Sequence, residues 1–124
     1  MGINSTEVSY GFGQLGSVYT TASSDAIKPP TNKVFVAITM LEDTVFDSSG
    51  GLIAERRVNG SVTNDVYVST EQAAHDLADG SETVDEGSGG QVVDSVTFTR
   101  GITIYGRWTE IDVNSGGVVA YIGD

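Results

Sequence analysis

The clearest periodic signal lies at 33–43, KVFVAITMLED. Val34, Val36, Ile38 and Met40 fall on one side of an extended chain, and Phe35, Ala37, Thr39 and Leu41 on the other, because successive strand side chains alternate. Both sides are apolar, which predicts a strand covered on both faces: a central strand within one small sandwich or, in an oligomer, a strand with one face in the subunit contact. Downstream, Val45-Phe46 and Leu52-Ile53-Ala54 flank the turn Ser48-Ser49-Gly50-Gly51, a pattern that predicts a β-hairpin. Residues 56–64 read as a surface excursion with a turn at Asn59-Gly60, and 65–69 as a short strand. Ser69 followed by Gln72 forms a capping box, which predicts a short helix over 70–79 stopped at Gly80. Residues 81–91, SETVDEGSGGQ, read as an acidic Gly/Ser-rich loop.

The last third returns to strand patterns at 92–100, 102–105 and 107–113, with Gly106 as a bulge or close approach. Asn114-Ser115-Gly116-Gly117 is expected to close a hairpin into 118–122. At the other end, residues 1–32 are polar and finish at Pro29-Pro30, which cannot sit inside a sheet ladder. Within them, 9–21 either pairs as an edge strand or lies extended on a neighbour. The pattern thus predicts an N-terminal arm, 1–32, and a β-domain, 33–124. The expected fold class is all-β: an antiparallel β-sandwich or barrel-like domain with one short helical insertion.

Composition sharpens this. Valine and isoleucine number 24 against 4 leucines, and 13 threonines bring the β-branched total to 37 of 124 residues. Such side chains suit a pleated surface and stiffen in helices, so a helical bundle is excluded. With no cysteine there is neither a disulfide nor a thiolate site. The net charge is −11, and residues 58–99 hold eight acids and no base. A surface of that sign repels phosphate backbones, so nucleic acid is not an expected partner. No apolar run spans a bilayer and no basic-then-apolar leader opens the chain, so a membrane is not expected either.

Candidate chemistry is sparse. Gly11-Phe12-Gly13-Gln14-Leu15-Gly16 matches a dinucleotide-binding pattern in letters only, because that motif needs a strand before it and a helix after it. His75 is the single histidine, and no nucleophile elbow accompanies it. Glu110 and Asp112, two apart beside Arg107 and Trp108, would share one side of a strand, as paired glycosidase carboxylates must. Ile111 and Val113 on the alternate side make an ordinary half-solvated strand the stronger reading. The acids at 79–86 offer oxygen ligands for calcium but lack the EF-hand spacing.

Three phrases carry a resemblance: Tyr10-Gly11-Phe12-Gly13-Gln14-Leu15-Gly16-Ser17, the stretch Val34 to Asp43, and Gly101-Ile102-Thr103-Ile104-Tyr105-Gly106-Arg107-Trp108-Thr109-Glu110-Ile111. Together they resemble small virion structural proteins of marine tailed phages, particularly those infecting cyanobacteria. The likeness spans most of the chain and is weakest over 56–91. It implies a non-enzymatic capsid decoration (cement) protein, made in the host cytoplasm and carried on the outer capsid surface of the virion. The implied partners are the major capsid protein and further copies of this chain, with a homotrimer favoured by shell symmetry. It implies no catalytic, cofactor-binding or metal residue and no cofactor. The alternatives are a carbohydrate- or receptor-binding module using Trp108, Tyr105 or Tyr121 beside Glu110 and Asp112, and a neck or tail component.

Overall fold

The structure is a computed structural model and describes residues 15–55, 58–59, 62–63, 68–70 and 91–124. Among these residues the chain is all-β and every strand pairing is antiparallel. The strands are β1 (Ser17–Thr21), β2 (Val34–Met40), β3 (Val45–Phe46), β4 (Leu52–Ala54), β5 (Val58–Asn59), β6 (Val62–Thr63), β7 (Thr103–Ile111), β8 (Val113–Ser115) and β9 (Gly117–Gly123). The main sheet runs in the order β1-β9-β2-β7-β4, and β3-β8 and β5-β6 form two-stranded ribbons. The strand expected at 33–43 is β2, and it is central as predicted.

Directly paired residues project to the same face of a sheet. Phe35 opposes Trp108 and Ile122, Ile38 opposes Ile104 and Ala120, and Met40 opposes Val118. These residues therefore make one apolar face. The β3-β8 ribbon covers it with Phe46 and Val113, and Val18, Ile27, Val93 and Phe98 pack around the rim. Phe98 meets Phe46 edge-on, with centroids 5.5 Å apart and rings inclined at 68°. Each such large apolar side chain contributes about 1.5–3 kcal/mol on burial.

The segment assigned to the arm is in part a strand of this sheet. β1 pairs with β9 from Ser17↔Tyr121 to Thr21↔Gly117, and Ile27 and Ile111 exchange both backbone hydrogen bonds, at 2.8 and 3.0 Å. Of the two readings of 9–21, edge strand holds for Ser17–Thr21; residues 1–14 lie outside the described residues. So does the expected helix beyond Thr70, although Ser69 and Thr70 themselves are placed. Ser69 Oγ donates to Leu52 O at 2.9 Å, and Leu52 N donates to Thr70 Oγ1 at 2.8 Å. Thr70 N also donates to Leu52 O, at 2.8 Å. Both backbone groups of Leu52 on the outer edge of β4 are thereby closed.

Two expected hairpins are corrected. β3 and β4 do not pair with each other; both run antiparallel to one long strand, β3 against β8 and β4 against β7. The chain between them is a pinched loop. Asp47 N donates to Asp112 O at 2.9 Å and Asp112 N to Gly51 O at 2.7 Å, so both ends of the loop bond a single residue opposite. A Cβ at Gly51 would stand 1.9 Å from Asp47 O, so only glycine lets the ends meet. Likewise 114–117 is a corner, carrying the chain from β8 in the ribbon to β9 in the main sheet. Gly116, at φ 97°, passes so close to Asp43 O that a Cβ there would lie 2.4 Å away. The strand expected over 92–100 is also absent: Asp94-Ser95 turns the chain, and only Phe98 makes a bridge, to Thr44.

Thr20 is 1% exposed on the core side of β1, and among the described residues its hydroxyl has no hydrogen-bond partner. An unpaired buried hydroxyl costs about 1–3 kcal/mol in desolvation. Thr20→Val, which keeps the β-branched shape, should therefore leave stability unchanged or raise it by about 1 kcal/mol. Urea denaturation reads this directly, and a clear loss of stability would refute it.

Candidate functional site

The second face of the main sheet follows from the same pairings. Tyr105, Ala37, Tyr121 and Ser17 form one row across four strands, and Thr103, Thr39, Val119 and Tyr19 form the next. Adjacent strands lie about 4.8 Å apart, which puts Tyr105 and Tyr121 about 10 Å apart across the small Ala37. Tyr19 and Tyr105 are 63% and 65% exposed, while Thr39, Thr103, Val119 and Tyr121 are half-buried. Thr39 and Thr103 share a hydroxyl hydrogen bond of 2.8 Å. The two rows contain no charged residue, on a chain of net charge −11.

Charges close one end of this face. Arg107, two residues beyond Tyr105, donates from Nε to Glu55 Oε1 at 2.7 Å and from Nη2 to Asp124 O at 2.9 Å. Lys33 pairs with the Asp124 carboxylate. The hydrogen bond to Glu55 raises the Arg107 guanidinium above its ordinary pKa, outweighing a smaller desolvation effect. An arginine tied to two strand ends seals the sheet and leaves little free positive charge for a ligand.

The two carboxylates flagged in the sequence take different partners. The register slips between Ile53 and Ala54 as β4 passes Glu110 and Trp108, and the slip breaks the simple alternation around Glu110. Glu110 forms an ion pair with Lys28 at 3.6 Å. Asp112 sits at the bend between β7 and β8, against Asp47. Burial, the hydrogen bond that a protonated Asp112 donates to the Asp47 carboxylate, and the charges of Asp47, Glu110 and Asp25 all raise the Asp112 pKa above the usual carboxylate value. Sequence spacing missed this cluster because Asp25 and Asp47 reach it only through tertiary contacts. Among the described residues, no group of three or more His, Cys, Asp or Glu is arranged to hold a metal ion. His75 and the acids at 79–86 lie outside the described residues.

The aromatic candidates separate. Tyr105 and Tyr121 are on the uncharged face, but Trp108 is 1% exposed on the core side, where Nε1 donates to Val68 O at 2.8 Å. Gly106 makes room for it: a Cβ there would lie 2.8 Å from two atoms of the indole ring. The sequence signal for this arrangement is the Gly-x-Trp spacing, which puts both residues on one side of a strand. No protein family, curated protein or solved structure matches the chain.

Two outcomes are expected. Gly106→Ala should displace the only tryptophan, shift its fluorescence emission to the red and cost about 1–3 kcal/mol, as overpacking does. Unchanged emission and stability would refute the packing argument. For Asp112, a folded-state pKa above the unfolded one contributes stability that is present below the usual Asp range and is lost as pH rises through the folded value. Asp112→Asn should accordingly be more stable than the wild type at neutral pH, and the advantage should vanish on acidification below pH ~4. Denaturation at both pH values checks this.

Proposed function

We propose that this protein is a non-enzymatic virion structural protein, a decoration (cement) protein that binds the major capsid protein and stabilises the shell. The observation that carries the reading is an uncharged, tyrosine-bearing sheet face on a strongly acidic chain. A surface of that kind suits protein contacts, where aromatic residues are enriched and charges depleted at the centre. Two of the three phrases behind the resemblance to phage virion proteins supply β2 and β7, neighbours in the middle of the main sheet.

In this proposal the main sheet and the β3-β8 ribbon are the two layers of a sandwich, and the helix over 70–79 is an insertion in it. The segment ahead of Leu15 is the arm, laid along a capsid subunit as an added strand. The acidic side chains of the stretch 58–99 face solvent, away from the DNA-filled interior. Several copies act together, since weak contacts gain occupancy from repetition. A second reading, a glycan-binding module on the virion surface, draws on the exposed Tyr105 and Tyr19. It is weakened by the burial of Trp108, the aromatic best suited to stack on a sugar ring.

Co-sedimentation of labelled protein with phage heads lacking it tests the proposal. Saturable pelleting at a simple multiple of the capsid lattice is the expected result, with binding weakened when residues 1–14 are removed. Folded protein that fails to pellet with heads, yet binds glycans and loses that binding in Tyr105→Ala, would replace decoration with the second reading.

A further inference from the structure

Among the described residues, β1 is an edge strand with its outer side open. Ile122 N donates to Gly16 O at 2.9 Å and Ala22 N to Gly116 O at 3.3 Å. Hydrogen-bonded and non-bonded pairs alternate in an antiparallel ladder. The inward-bonding positions are therefore 16, 18, 20 and 22, and the backbone N–H and C=O groups of Ser17, Tyr19 and Thr21 point away from β9. The Thr21 carbonyl accepts from Ser24 N at 3.0 Å. Among the described residues, nothing pairs with the outward groups of Ser17 and Tyr19.

Proteins ordinarily blunt such an edge with lysine, proline, a bulge or a covering segment. β1 contains neither lysine nor proline, and its register against β9 is unbroken, while β2, β3 and β4 all slip against their partners. Leu15 to Ser24 carries no charged residue at all, in a chain of net charge −11. Two copies of so acidic a protein repel least where neither presents charge. The opposite edge of the sheet, β4, is bulged, and its Leu52 is closed by Ser69 and Thr70. Pairing of β1 with β4 of another copy, which would generate rings or filaments, is therefore blocked.

We infer that two copies of this chain pair edge to edge through β1, antiparallel, about a two-fold axis at Tyr19. The edge is its own complement: Tyr19 N–H reaches Tyr19 O of the second copy in both directions, and Thr21 N–H reaches Ser17 O in both directions. The pairing joins the two main sheets into one and makes their uncharged faces continuous, with the two Tyr19 rings side by side. It is isologous and closes at two subunits, in contrast to the three-fold cluster expected from shell symmetry. A contact of one short strand buries less than the roughly 1,200 Å² of a standard interface, so the association is weak and concentration-dependent. It stands independently of capsid binding, because it is a property of the free protein.

Sedimentation velocity of the full chain across the micromolar range should show a monomer–dimer equilibrium. Tyr19→Pro removes only an outward N–H, which edge strands tolerate, and Tyr19→Lys places two like charges at the axis. Both variants should be monomeric with an unchanged melting temperature, and if the proline variant fails to fold the lysine variant decides. The register has its own readout. The chain has no cysteine, and directly opposed bonded residues lie about 5.5 Å apart at Cα, within disulfide reach. Tyr19→Cys should cross-link rapidly on mild oxidation, and Ser49→Cys, on an exposed loop, should not. A wild type that stays monomeric, a Tyr19→Lys variant that dimerises as the wild type does, or equal cross-linking at 19 and 49 would each overturn the inference.

Discussion

The structure depends on one stretch of chain serving two sheets. Residues 103–115 run through β7, bend at Asp112 and continue as β8. The bend is held from both sides of the ladder: Ile111 exchanges bonds with Ile27, and Asp112 bonds Asp47 N and Gly51 O. Trp108, Ile111 and Val113 consequently face the same core although they belong to different sheets. If the bend straightened, Val113 would leave the core, the ribbon carrying Phe46 would lift with it, and the apolar face of the main sheet would open. The cost is visible in the cluster of like charges at the corner, where Asp112 is pressed against Asp47 with Glu110 and Asp25 nearby. A backbone constraint that closes the core outweighs a local electrostatic penalty, since burial of several large apolar side chains is worth many times one strained carboxylate.

This constraint explains what the sequence disclosed and what it withheld. The all-β class and the central place of β2 were legible, because a β-branched run apolar on both sides has few other uses. The glycine-rich turns at 48–51 and 114–117 were legible as turns, but not as what they connect. A turn signal reports that the backbone bends locally, whereas pairing is decided by which strands share a core. At Gly51 and Gly116 the glycines serve close backbone approaches to Asp47 and Asp43, a need that looks identical to a hairpin turn in the sequence. The alternation at 92–100 misled for a related reason: Val93 and Phe98 do pack on the core, but from an irregular segment laid across it.

The candidate surface was legible only in pieces. Tyr105 and Tyr121 stand out as aromatics in strands, yet nothing local shows that they share a face with Tyr19, which lies more than eighty residues earlier in the chain. Trp108 drew attention as an exposed aromatic candidate and proved to be a core residue. Its placement follows from Gly106, whose missing side chain is filled by the indole. A glycine two residues before a tryptophan is thus a packing signal in a strand, and weighs against reading that tryptophan as a ligand platform.

Charge placement links the fold to its use. In the main sheet the ionised groups gather at the strand ends, in the Glu55–Arg107 and Lys33–Asp124 pairs, and at the Asp112 corner. The broad face between them is neutral although the chain is strongly acidic. Solubility is served by the acids elsewhere, so nothing in the requirements of a folded monomer calls for a neutral aromatic face. An uncharged face bounded by an edge that no described residue covers is a liability for an isolated chain. It becomes an asset where copies are held side by side on a larger surface, since lateral contacts then cost little additional ordering. The same features that would make a free protein associate weakly suit one that works as part of an array.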